Sequence, residues 1–77
     1  MPKLPRLYPK QVVGALLSLG FYSHHQTGSH IQLRHLIKTH LRVTVPRHDR
    51  FELPLYVVSS ILKQAEVTKE EFIKALK

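Results

Sequence analysis

No cysteine occurs anywhere in the chain, which excludes disulfides, thiolate zinc sites and a cysteine nucleophile. Acidic residues are scarce: five Asp and Glu stand against twelve Lys and Arg, for a formal charge of +7. On so small a surface that imbalance favours a polyanion or an acidic protein as partner, without choosing between DNA, RNA, lipid and protein. No apolar run approaches the roughly 18 residues that span a bilayer. The start, Met1 to Pro9, is basic but lacks the apolar stretch of about 7–15 residues found in a signal peptide. No membrane partner is expected, and the expected location is cytoplasmic. There are no internal repeats and no low-complexity segments, and 77 residues make one domain. A chain this short buries only about 60% of its unfolded surface, so its core is small.

What is present divides into helical and alternating stretches. Residues 1–8 hold Pro2 and Pro5, whose spacing does not fit a regular helix, and read as a flexible basic N-terminal arm with Lys3 and Arg6. Residues 9–77 read as the single folded domain. Pro9 opens a first helix whose apolar stripe is Val12, Val13, Leu16 and Leu17, and Gly20 stops it. Gly14, inside that helix, is read as permitting close packing on a neighbour. Phe21 to Gln26 begins a first strand, in which His24 and His25 are expected on opposite faces.

Thr27-Gly28-Ser29 reads as a tight turn, and His30-Ile31-Gln32-Leu33-Arg34 alternates directly after it. The register sends Ile31 and Leu33 inward and His30, Gln32 and Arg34 outward. His40 to Pro46 alternates again, with Leu41, Val43 and Val45 inward and Arg42 and Thr44 outward. Two independent runs therefore predict one antiparallel sheet with an apolar back and a cationic front. After a charged connector containing Arg47 and His48, Pro54 opens a second helix with Leu55, Val58, Ile61, Leu62 and Ala65 on one face. Thr68 and Glu71 form a capping box for a short terminal helix, whose Phe72, Ile73 and Leu76 close one end of the core. The fold class is α+β, in the order α-β-β-β-α, with a three-stranded antiparallel sheet, helices on one face and an extra C-terminal helix.

The residues alone leave His30 with two readings: a polar strand residue bonded to a backbone carbonyl, or a group that meets a ligand. Arg34 and Arg42 read equally as a solvated face or as phosphate contacts. His48 reads as a solvated loop histidine or a second acid or base. Six histidines invite a metal, but none forms a His-x-x-x-His pair and carboxylates are few, so neither metal nor cofactor is expected. Asp49 is not evidently placed to complete a Ser–His–acid triad. Three strands between the two main helices disfavour a helix-turn-helix DNA reader.

Leu19-Gly20-Phe21, Gln26-Thr27-Gly28-Ser29-His30, Val43-Thr44-Val45-Pro46-Arg47-His48, Ile61-Leu62-Lys63-Gln64-Ala65 and Glu71-Phe72 occur in that order. Together, over roughly residues 9–76, they resemble the HicA (YcfA-like) toxin family. The sequence departs from the family pattern at Asp49 and Arg50, where a glycine is common, and at His25 and Gln26, where basic residues are common. The resemblance implies a double-stranded-RNA-binding-domain-like fold, an mRNA-cleaving toxin and a HicB-like antitoxin protein as partner. It also puts the catalytic histidine at His30. RNA carries its own nucleophile, the 2′-hydroxyl, so cleavage needs a base, an acid and charge stabilisation, and imidazole suits the first two. Ser29 and the backbone of the Gly28 turn are then expected to support His30 by holding a phosphate oxygen. Gln32, Arg34, Arg42, Thr44 and Arg47 are expected to contact RNA, with His48 as the candidate second acid or base. The alternative is an RNA-binding module of the same fold without chemistry.

Overall fold

The computed structural model describes residues 4–48 and 50–76. Along the chain it contains α1 (Pro9–Ser18), β1 (Phe21–Thr27), β2 (His30–His35), β3 (Arg42–Pro46), α2 (Leu55–Ala65) and α3 (Lys69–Ala75). The strands form one antiparallel sheet in the order β1-β2-β3, so β2 is central and both neighbours are edges. The architecture is the expected α-β-β-β-α order with an additional C-terminal helix.

Alternation decides which face of the sheet the helices cover. Ile31, Leu33, Val43 and Val45 are buried, as is Leu41 just before β3. Val12, Ala15 and Leu16 of α1 meet them, with Val58, Ile61, Leu62 and Ala65 of α2 and Phe72 of α3. His30, Gln32, Arg42 and Thr44 are exposed on the opposite face, and Arg34 is half-buried. Two helix positions differ from expectation. Leu17 is 49% exposed, Ala15 taking its place in the stripe, and Leu55 is 64% exposed at the start of α2. A period of 3.6 defines a stripe but not its margins, and both residues lie at a margin.

The stretch before α1 is docked in its described part. Leu7 is buried, Leu4 is half-buried, and the Leu53 N–H donates to the Leu7 carbonyl at 2.7 Å. Within residues 4–8, which form neither helix nor strand, Leu7 and Leu4 attach the chain to the domain: Leu7 is apolar enough to join a core short of material. Lys3 lies outside the described residues, and Arg6 sits 3.9 Å from Glu52.

Two glycines have opposite roles. Gly20 stands at φ +99 directly after α1, where a side chain is strained. A Cβ there would lie 2.7 Å from His35 Nε2. That ring is not free to retreat. His35 Nε2 donates to the Leu19 carbonyl at 3.1 Å, while Nδ1 accepts the N–H groups of Ile37 at 3.1 Å and Lys38 at 2.9 Å. The ring also stands edge-on to Phe21, centroids 4.9 Å apart. His35 thus ties the end of α1 to the β2–β3 connection, whose turn delays β3 until Arg42 rather than the expected His40.

At Gly14, by contrast, an added methyl group would meet nothing within 4 Å, so no close neighbour explains the glycine. Gly14→Ala is expected to raise stability by about 0.5–1 kcal/mol through helix propensity. Gly20→Ala is expected to lower it by at least about 1–2 kcal/mol, the cost of left-handed backbone for a side chain. Urea titration of both variants checks the opposite signs.

Thr68 caps α3 as expected. Its Oγ1 accepts the Glu71 N–H at 3.1 Å, and Glu71 Oε1 accepts the Thr68 N–H at 3.0 Å. The Thr68 backbone N–H, and next its hydroxyl, hold the Glu71 carboxyl below its ordinary pKa, with smaller help from Lys38 and Lys74. A carboxyl depressed in the folded state stabilises above its unfolded pKa and loses that contribution as pH falls through the folded value. Thermal midpoints measured from neutral pH into the acid range should therefore fall less for Glu71→Gln than for the parent chain.

Candidate functional site

The β1–β2 hairpin closes through two residues, Gly28 and Ser29, between the paired Thr27 and His30. Two-residue hairpin loops demand positive φ, and Gly28 supplies it at +28. His30 is consequently the first residue of the central strand, flanked across the ladder by Thr27 on one side and Pro46 on the other. Ser29 Oγ lies 3.2 Å from His30 Nδ1. The Ser29 carbonyl accepts the Arg47 N–H at 2.6 Å, which fastens the hairpin to the end of β3. His30 is exposed, so its Nε2 edge is open to a ligand while Nδ1 is engaged.

A hydroxyl is both donor and acceptor, and that matters here. When Ser29 Oγ accepts from Nδ1–H, the imidazole offers a lone pair at Nε2. When Ser29 donates to Nδ1, Nε2 carries the proton. The same contact therefore serves either direction of proton transfer.

The expected site residues fall into two groups. Ser29, His30, Gly28 and the backbone of Arg47 gather at one end of the sheet, beside Pro46. Arg34 and Arg42 form a cross-strand pair at the other, with Gln32 and Thr44 as the pair between. Four residues along β2 amount to roughly 13 Å, so the arginines sit away from His30 rather than around it. Arg47 follows Pro46, the residue paired with His30 across the ladder. His48, exposed, lies two residues beyond Pro46, and its carbonyl accepts the Phe51 N–H at 2.9 Å.

Several residues at this surface escape sequence reasoning. The β1–β2 register slips between Ser23 and His25, a bulge that inserts His24. His24 then lines a depression of about 270 Å³ with Gln32, Arg34, Arg42 and Thr44, while His25 pairs with Gln32. Both histidines thus take open-face positions, because a bulge breaks the alternation that would have separated them. Gln64 Oε1 accepts the outward N–H of Thr44 at 3.0 Å, and Gln64 Nε2 donates to Ser60 Oγ at 3.2 Å. The glutamine of the Ile-Leu-x-Gln-Ala stretch therefore belongs to the scaffold. Phe51 and Tyr56 are 69% and 77% exposed in the segment after Arg47.

A concavity of about 870 Å³ lies among α1, the residues before it and α3, and holds none of these side chains. Its lining holds no histidine, and its carboxylate, Glu71, is already engaged by the Thr68 cap. Among the described residues no cluster of three or more His, Cys, Asp or Glu is placed to hold a metal. No described helix is long and apolar enough to cross a membrane.

Fold and site together define a small basic α+β domain that presents a serine-backed histidine on an uncovered sheet. None of the three strands carries an acidic residue. The family model described as HicA toxin of bacterial toxin-antitoxin matches residues 9–67. The chain belongs to that family, whose members are the toxins of toxin–antitoxin pairs. No curated protein matches the chain significantly.

Proposed function

We propose that the chain is a metal-independent endoribonuclease that cleaves mRNA, with His30 as general acid and base, and that a HicB-like antitoxin restrains it. One observation carries this reading: the 3.2 Å contact between Ser29 Oγ and His30 Nδ1 on an exposed sheet whose strands are free of carboxylates. His30 Nε2 removes the 2′-hydroxyl proton as the oxygen attacks phosphorus. The resulting imidazolium returns a proton to the departing 5′ oxygen. The products are a 2′,3′-cyclic phosphate and a 5′-hydroxyl, and atoms and charge balance without a further reactant. In this reading the Gly28–Ser29 turn and Arg47, whose backbone is tied to Ser29, offset the charge developing on the phosphorane, as preorganised donors do.

The antitoxin reading rests on family membership and on charge, since an acidic partner surface complements the cationic face. A gel assay in EDTA tests the enzyme. Purified chain should shorten RNA, leave the all-deoxy analogue whole, and generate cyclic phosphate ends. RNA retarded but intact would instead make the chain a binding module.

A further inference from the structure

Arg34 and Arg42 stand directly opposite each other across β2 and β3. Like charges so placed destabilise a sheet, and desolvation adds to the cost because Arg34 is half-buried. Neither has a carboxylate partner: the ion pairs among the described residues are Arg6–Glu52 and His40–Glu66. Yet polar groups surround the pair. Gln32 and Thr44 form the next rung, and the bulge adds His24 to the same depression. An unrelieved repulsion ringed by hydrogen-bonding groups is the local signature of an anion site, where a rule of sheet stability yields to binding.

We infer that this depression is a second phosphate site, separate from the scissile one, and that it holds the backbone of a single-stranded RNA whose cleaved bond lies at His30. The inference rests on the ribonuclease reading. The separation of roughly 13 Å along β2 exceeds what a single phosphate could bridge, so the two sites take different phosphates of one strand. The single-stranded form follows from what flanks the cations. On the β1 side, Tyr22 pairs with Arg34 and stands edge-on to His24, ring centroids 6.4 Å apart. Rings beside a cationic track fit unpaired bases, which stack on aromatic side chains, whereas a duplex keeps its bases covered. Phosphates run along the Arg34–Arg42 side and bases along Tyr22 and His24.

The test measures binding to the full chain carrying His30→Ala, which keeps RNA uncut, with and without Arg34→Gln/Arg42→Gln. Fluorescence anisotropy is read on labelled oligoribonucleotides from a dinucleotide upward. Loss of the pair should weaken binding tenfold or more once the oligomer reaches both sites, and leave the dinucleotide unaffected. The log–log salt slope for the longer RNA should become shallower by about 0.7, one phosphate's worth on a single strand. Removing a repulsion should leave the thermal midpoint equal or higher; Arg42→Gln alone, at an exposed position, repeats the test if the double variant folds poorly.

Equal weakening on both lengths would put the arginines at the scissile phosphate and overturn the second site. So would unchanged affinity on all lengths, or a loss confined to poly-glutamate, which would assign the pair to an acidic protein. A preference for duplex over single strands would overturn the single-stranded course. Wild-type cleavage, run in parallel, separates the failures: cleavage with unchanged binding removes only the second site, while neither cleavage nor binding removes the ribonuclease reading as well.

Discussion

With His30 replaced by alanine, RNA cleavage is expected to slow by about 10²–10⁴-fold, the range a positioned acid or base supplies. Retention of RNA should survive, because the cationic pair and the connector remain. Stability should change by no more than about 0.5 kcal/mol, since His30 is exposed and its ring bonds a neighbouring hydroxyl. Single-turnover cleavage rates, melting curves and anisotropy on one preparation give all three readings. Ser29→Ala should produce a smaller loss in rate, because Ser29 orients the ring rather than moving the substrate's proton. A fall of less than tenfold in the His30 variant, with a large one in His48→Ala, would transfer the chemistry to His48.

Phe72→Ala is expected to be the most damaging single change to the fold. Phe72 is fully buried although α3 is only seven residues long. Truncating a buried Phe costs about 3–5 kcal/mol, through lost transfer energy and the cavity left behind. A chain of this length has a total stability of roughly 4–12 kcal/mol at the usual per-residue value, so the variant should be partly unfolded under mild conditions. Urea unfolding followed by circular dichroism measures the loss. A cost under about 1 kcal/mol would mean that α3 rests on the surface. Phe72 also lies beyond residues 9–67, the stretch the family model matches, yet the core inside that stretch is closed by it.

How far the sequence discloses this molecule depends on whether a feature is periodic. Ile31 and Leu33 against Val43 and Val45 announce the buried side of the sheet through simple alternation, and Thr68 with Glu71 announces a helix start by spacing alone. Both are local patterns. His24 and His25 are different: seven residues of polar and aromatic character in β1 contain nothing that says where a bulge falls, so alternation separates two histidines that share the open face. His35 binds groups at Leu19, Ile37 and Lys38, and the first of these is sixteen residues away. No local pattern reports such a partner. Leu17 and Leu55 fail for a related reason, since the edge of an apolar stripe is drawn by the neighbour it meets. Of the candidate site, the hairpin and His30 are visible because a Gly-Ser turn precedes an alternating run. That Arg42 stands opposite Arg34, four positions from His30, becomes visible only with strand register.

Gln64 also governs how the molecule meets others of its kind. An exposed edge strand ordinarily offers a row of unmet amides to any passing extended chain, an invitation to uncontrolled stacking. On β3 the outward amide of Thr44 is already satisfied by a side chain from α2, and Pro46 has no amide hydrogen to offer. A visiting strand would first have to evict that glutamine, so growth of the sheet in this direction is blocked. The opposite border, β1, is interrupted by its bulge, which leaves a three-stranded sheet guarded on both flanks by different means.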